Sequence, residues 1–171
     1  MSSEKKYVIV DVQGFKGLNN KFIVKEIGIC FDLNNFKSFL IKSPYENLLL
    51  SEKEQKMMNW ANRHHHGIEW NSGHYDLSQI QKFLKFHLKG YTVLVKGPQK
   101  DKWLSEIIDD NIIKITKLSD EDLSQSLKTL CELYPINVCC ENHKSFVGDS
   151  AVCALKNALA VRNALEKLRN I

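Results

Sequence analysis

Tyr7-Val-Ile-Val-Asp11-Val12 and, beyond Gly17-Leu-Asn-Asn20, Lys21-Phe-Ile-Val-Lys-Glu26-Ile-Gly28-Ile-Cys-Phe31 decide the fold. The first stretch is a near-continuous apolar run carrying one carboxylate, as expected of a central strand buried on both faces. The second returns after a Gly/Asn turn, so the two read as a hairpin. Phe36-Lys-Ser-Phe-Leu-Ile-Lys42 is a third strand, reached through Asp32-Leu-Asn-Asn35. Three strands with no helix between them make an antiparallel meander.

Helical signals follow. Ser51-Glu-Lys-Glu54 is a capping box opening a helix towards Arg63. Asp76-Leu-Ser-Gln79 opens another, with Leu77, Ile80, Phe83, Leu84 and Leu88 on one face and Gly90 at its end. Tyr91 to Lys96 reads as a strand, Gln99 to Ile108 as a short helix and Ile112 to Ile115 as a further strand. Ser119-Asp-Glu-Asp122 caps a helix running to about Leu133, and Pro135-Ile-Asn-Val-Cys139 is strand-like. The last helix is expected to begin at Asp149 or Ser150 and run through Leu168. Its Ala151, Ala154, Ala158 and Ala160 suit close packing on a sheet. The order predicts an α/β domain with a mixed sheet flanked by helices, residues 1–171 forming a single domain without repeats or linker.

With 43% hydrophobic residues over 171, the chain has apolar content for a real core. A net charge of +4 leans towards a polyanionic partner but falls short of a dedicated nucleic-acid binder. Met1-Ser-Ser-Glu-Lys-Lys6 lacks the apolar stretch of a signal sequence, and no apolar run approaches transmembrane length. The expected setting is the cytoplasm or nucleus, without membrane contact. In a reducing compartment an odd count of five cysteines points to metal before disulfide.

Cys140, His143 and Cys153 are spaced C-x2-H-x9-C, and Glu26 lies on a distant strand. Thiolate, imidazole and carboxylate are the donors a tetrahedral Zn²⁺ accepts. Cys139 competes with Cys140 for the ligand role, because strand alternation sends the two thiols to opposite faces. Cys30 and Cys131 read as core residues. His64-His65-His66 reads as a solvated helix end whose cationic rings complement the dipole, since three consecutive residues cannot all reach one ion.

The element order, together with Asp11-Val-Gln13, Glu26-Ile-Gly28 and Asp101 following a strand, resembles the RNase H-like exonucleases of the DnaQ, or DEDDh, group. That group uses four carboxylates to hold two Mg²⁺ ions and a His as general base. Aligned on those motifs, this chain keeps Asp11 and Asp101. It has Gln13 in place of Glu, Lys96-Gly97 in place of His-Asn, and Val152 and Asn157 where the base and last Asp belong. An amide cannot neutralise a divalent cation and Val cannot take a proton from water, so Asp11 and Asp101 read as vestigial.

Glu26, Cys140, His143 and Cys153 are similar to the Glu-Cys-His-Cys metal site of the Maelstrom domain, a DnaQ-like domain without the acidic tetrad. This resemblance implies structural zinc, single-stranded RNA as partner, proteins of a piRNA or other small-RNA silencing pathway, and at most metal-independent RNase activity. Beside the old active site, Lys96, Lys100, Lys102 and Trp103 offer phosphate contacts and an aromatic ring for stacking. The competing expectations are a protein-interaction scaffold of the same fold and a Mg²⁺-dependent 3′-5′ exonuclease built on Asp11 and Asp101.

Overall fold

The computed structural model describes residues 6–16, 21–108, 113–119, 122–138, 140–143, 146–147 and 151–169. Three strands come first, as the apolar runs imply: β1 (Tyr7–Lys16), β2 (Phe22–Asp32) and β3 (Asn35–Leu40). Then follow α1 (Glu52–His64), α2 (Leu77–His87), β4 (Thr92–Val95), α3 (Pro98–Ile107), β5 (Lys114–Lys117), α4 (Leu127–Leu133) and α5 (Ala154–Arg169). Among the described residues the five strands form one sheet, ordered β3-β2-β1-β4-β5. The β1–β2 and β2–β3 pairs are antiparallel and the β1–β4 and β4–β5 pairs parallel, so the sheet is mixed as expected.

Register decides what each face carries. Asp11 pairs with Gly28 and Gln13 with Glu26. Because strand side chains alternate, Ile9, Asp11 and Gln13 share a face with Glu26, Gly28 and Cys30. Val8, Val10, Val12, Ile27 and Ile29 take the opposite face, in one core with Ile80 and Leu84 of α2 and Trp103, Leu104 and Ile107 of α3. Ile9 and Cys30 belong to a second core with Leu130 of α4 and Ala158, Leu159 and Val161 of α5. The sheet is thus covered by helices on both faces. Asp11, Gln13 and Glu26 bring buried polar side chains to its α5 face.

Gly28 makes the α5 contact possible. A Cβ there would lie 2.5 Å from the backbone nitrogen of Leu155, so only hydrogen lets the helix start rest on β2.

Three elements depart from the sequence reading. The start expected for the last helix at Asp149 or Ser150 lies outside the described residues, but residues 151–153 are not helical and α5 begins at Ala154. The Val152 amide is drawn away to the His65 carbonyl (2.9 Å), which holds this approach extended. Ser119 does form a capped turn, with the Asp122 carboxylate accepting from the Ser119 amide (3.0 Å). That turn is not continued. The Leu123 carbonyl, which a helix would use for residue 127, accepts instead from Lys96 Nζ at 2.8 Å. Helix α4 starts afresh at Leu127 under a Ser126 cap. Residues 135–138 pair with no strand among the described residues; the Val138 amide turns back to the Ile136 carbonyl (3.1 Å).

Candidate metal centre and the adjoining cleft

Glu26 projects from the middle of β2 and is fully buried. Cys153 stands immediately before α5, its carbonyl accepting the Asn157 amide (3.0 Å). Cys140 precedes and His143 ends a single 3-10 turn, Glu141–His143. These separate pieces of chain bring one carboxylate oxygen, two sulfurs and one imidazole nitrogen within 4.8 Å of one another. Tetrahedral Zn²⁺ at its usual bond lengths needs donors about 3.3–3.8 Å apart, so a small contraction suffices.

The Glu26 carboxylate is engaged at both oxygens. Oε1 accepts the Ala154 amide at 2.7 Å, placing negative charge at the start of α5 where the helix dipole favours it. Oε2 lies 2.9 Å from Asn142 Nδ2, 2.9 Å from His143 Nε2 and 3.5 Å from Cys140 Sγ. Asn142 also reaches Ser38 Oγ at 3.1 Å, which ties the turn to β3.

His143 is oriented from behind. Its Nδ1 contacts the His66 carbonyl, and since a carbonyl only accepts, Nδ1 carries the hydrogen. Nε2 then faces the cluster, where it is buried and lacks a hydrogen bond of acceptable geometry despite its nearness to Glu26. An imidazole with one nitrogen tied to a carbonyl and the other turned to the remaining donors is the usual posture of a metal ligand. Burial opposes charge on His143, yet Cys140 and Glu26 raise its pKa to about 10. Cys153, donating to Cys140, draws that thiol down to about 5, and the Cys153 thiol is pushed up. The negative charge that holds a proton on His143 is the same charge that attracts a cation.

The histidine run divides. His64 is exposed at the end of α1, whereas His66 is fully buried, contrary to the expectation of a solvated cationic tract. Its Nδ1 accepts the Ile68 amide (3.0 Å), so Nε2 donates to the Gly14 carbonyl (3.1 Å). Burial, then the neighbouring His65, pushes its pKa down to about 4, and the ring is neutral. Gly67 follows with φ 68°, and a Cβ there would lie 2.7 Å from the His143 carbonyl. His66 and Gly67 support the centre, and nothing in their spacing announced it.

Next to the centre opens a cleft of about 1260 Å³ whose walls include Gln13, Lys100, Val152, Cys153 and Asn157. Three of the positions aligned with exonuclease chemistry line it, Gln13, Val152 and Asn157, and Asp11 adjoins them through Asn157. Asp11 is buried behind that lining, held by two of its residues. Its Oδ1 pairs with Lys100 Nζ at 2.6 Å and its Oδ2 accepts Asn157 Nδ2 at 2.9 Å. Cys131 donates to Asn157 Oδ1 at 3.1 Å. An ammonium thus neutralises the surviving carboxylate. With amides at residues 13 and 157, this group of side chains has no remaining charge for two divalent cations. Asp101, in the first turn of α3, is not among the described residues lining the cleft.

The expected phosphate-binding set is dispersed. Lys96 is tied to Leu123 and Lys100 to Asp11, while Lys102 is exposed. Trp103 is buried in the α3 core with 8% of its surface exposed, so it presents no ring for stacking. Helical periodicity explains the difference: Trp103, Leu104 and Ile107 form the inward stripe of α3. Cys30 and Cys131 pack in the α5 core as expected, and Cys139 lies outside the described residues.

Neither a family model nor a curated relative matches the sequence. Solved structures do. The Mopeia virus exonuclease domain fully depleted of manganese matches with a TM-score of 0.58 and 17% identity, over 94% of this chain and 76% of that one. The same domain partially complexed with manganese gives 0.52 and 16%, covering 95% and 78%. Its alendronate-soaked form gives 0.55 and 16%, again covering 95% and 78%. At such identity the likeness speaks for architecture: this chain has the α/β fold of viral exonuclease domains, RNase H-like in strand order and helix placement.

Proposed function

We propose that this chain is a zinc-stapled, nuclease-derived domain that binds single-stranded RNA and has lost two-metal phosphodiester chemistry. The observation that carries the reading is the convergence of Glu26, Cys140, His143 and Cys153 next to a cleft behind whose lining Asp11 is neutralised by Lys100. Two sulfurs with one imidazole and one carboxylate suit Zn²⁺ over the oxygen-seeking Mg²⁺ or Mn²⁺. Four protein donors leave no open position, so the ion's role is structural. Bound there, it joins β2, the 141–143 turn and the start of α5, contributing on the order of 10 kcal/mol to folding.

RNA binding is supported by the exonuclease-like architecture, the cleft and the positive net charge. The resemblance of Glu26, Cys140, His143 and Cys153 to the Maelstrom metal site is what suggests a piRNA or small-RNA silencing setting in the cytoplasm or nucleus, with silencing proteins as partners and residues 1–171 acting as one domain. Gln13, Asn157 and Val152 supply neither metal charge nor a general base, which argues against a Mg²⁺-dependent 3′-5′ exonuclease.

Metal analysis of purified protein is expected to find about one zinc per chain. Cys140→Ser and His143→Ala are expected to lose it and to melt well below wild type; zinc-free, fully folded wild type rejects the site. Filter binding of single-stranded RNA should weaken steeply with salt. Absent or salt-insensitive binding favours a protein-interaction scaffold. Cleavage that needs Mg²⁺ and vanishes in Asp11→Asn restores the exonuclease, whereas cleavage persisting in chelator identifies metal-independent RNase activity.

A further inference from the structure

We infer that the cleft grips an unpaired nucleic-acid strand between an aromatic lip on α1 and a basic lip on α4 and α5, Trp60 stacking a base and Lys128 and Lys156 holding phosphates. The inference rests on the nucleic-acid reading above and names the groove and side chains that would carry it.

Helix α1 buries Met58 but turns Met57 and Trp60, one helical turn apart, into the cleft mouth with 48% and 62% of their surfaces exposed. Trp60 lies against the His64 ring one turn further on, centroids 5.8 Å apart, which steadies the indole without covering it. A tryptophan left this open on the wall of a large cleft is unlike the buried Trp70 and Trp103.

Elsewhere the lining has the opposite chemistry. Lys128 on α4 and Lys156 on α5 both line the cleft, and neither makes an ion pair among the described residues. Glu132 is the one carboxylate among the described lining residues, and Lys100 is already committed to Asp11. The walls therefore combine an exposed ring, a thioether and an excess of uncommitted positive charge. A strand of alternating phosphate and unpaired base is complementary to that combination. A duplex is not, because its bases already stack on each other and leave no face for an indole.

The test uses the whole chain and a 12-nucleotide RNA, single-stranded or annealed to its complement, in fluorescence anisotropy across a salt series. Trp60→Ala is expected to weaken single-strand binding about tenfold at unchanged salt slope, with Trp60→Phe restoring most of it. In Trp60→Phe the quenching of protein fluorescence on binding should disappear while affinity stays. Lys128→Ala with Lys156→Ala should lower the salt slope by about 1.4, near 0.7 for each single-strand phosphate that is no longer neutralised. Lys85→Ala on α2, away from the cleft, should change nothing. Melting curves matched to wild type confirm that the exposed substitutions leave the fold intact. If wild type binds but these cleft variants behave like Lys85→Ala, or if duplex binds as tightly as single strand, the groove assignment is overturned and the nucleic-acid reading stands. If wild type binds no RNA at all, both fall.

Discussion

A carboxylate as buried as Asp11 must be matched, and here an ammonium and an amide do it. Removing one partner leaves the other charge stranded. Lys100→Met is expected to cost about 3–5 kcal/mol in urea unfolding, and adding Asp11→Asn should recover most of that loss. A single Lys100→Met variant as stable as wild type would mean that the pair is solvated. Asp11 was legible in the sequence as the acid of a central strand because its strand and motif are local. Its pairing with Lys100 was not, since 89 positions separate the two. Reading along a line likewise gave Trp103 a stacking role, because an aromatic residue in a sequence carries no direction, and α3 turns this one inward.

At the level of elements, the contact between β2 and α5 has least tolerance. Gly28→Val puts side-chain atoms into the Leu155 backbone, which cannot rotate away, so a loss of about 3 kcal/mol or more is expected. Because Cys153 sits at that same helix start, the zinc reading proposed above also expects the variant to release the ion earlier to a chelator. The α1 cap is a milder case. Ser51 Oγ accepts the Glu54 amide (3.2 Å) and Glu54 returns to the Ser51 amide (3.0 Å). Ser51→Ala should therefore lower stability by about 1 kcal/mol in thermal or urea unfolding. This box was legible because capping is a four-residue affair. The similar signature at Ser119 produced only a turn, because Lys96, from beyond β4, claims the carbonyl the helix needed.

Across the whole molecule, two cores share one sheet and differ in what completes them. The α2/α3 side is closed by aliphatic packing. On the α5 side, packing is supplemented by the donor cluster joining β2 to the start of α5. On the zinc reading proposed above, stripping the metal is expected to loosen one side first. Hydrogen exchange should speed up in the first turns of α5 and around residues 140–143 while α2 and β1 stay protected. Uniform acceleration in every element would instead indicate that the ion supports global stability alone. No described helix is long and apolar enough to cross a membrane.

The sequence by itself determined the strands, most helices, the mixed α/β order and the four donor residues. Periodicity, caps and residue chemistry are local properties that survive being read along a line. Tertiary structure alone decided which carboxylate became neutralised, that His66 is a buried neutral support, and that Trp60 rather than Trp103 faces the cleft. Each of those depends on direction and on a partner dozens of residues away. Those facts arise when strand register and helix rotation are set together by burial of the two cores.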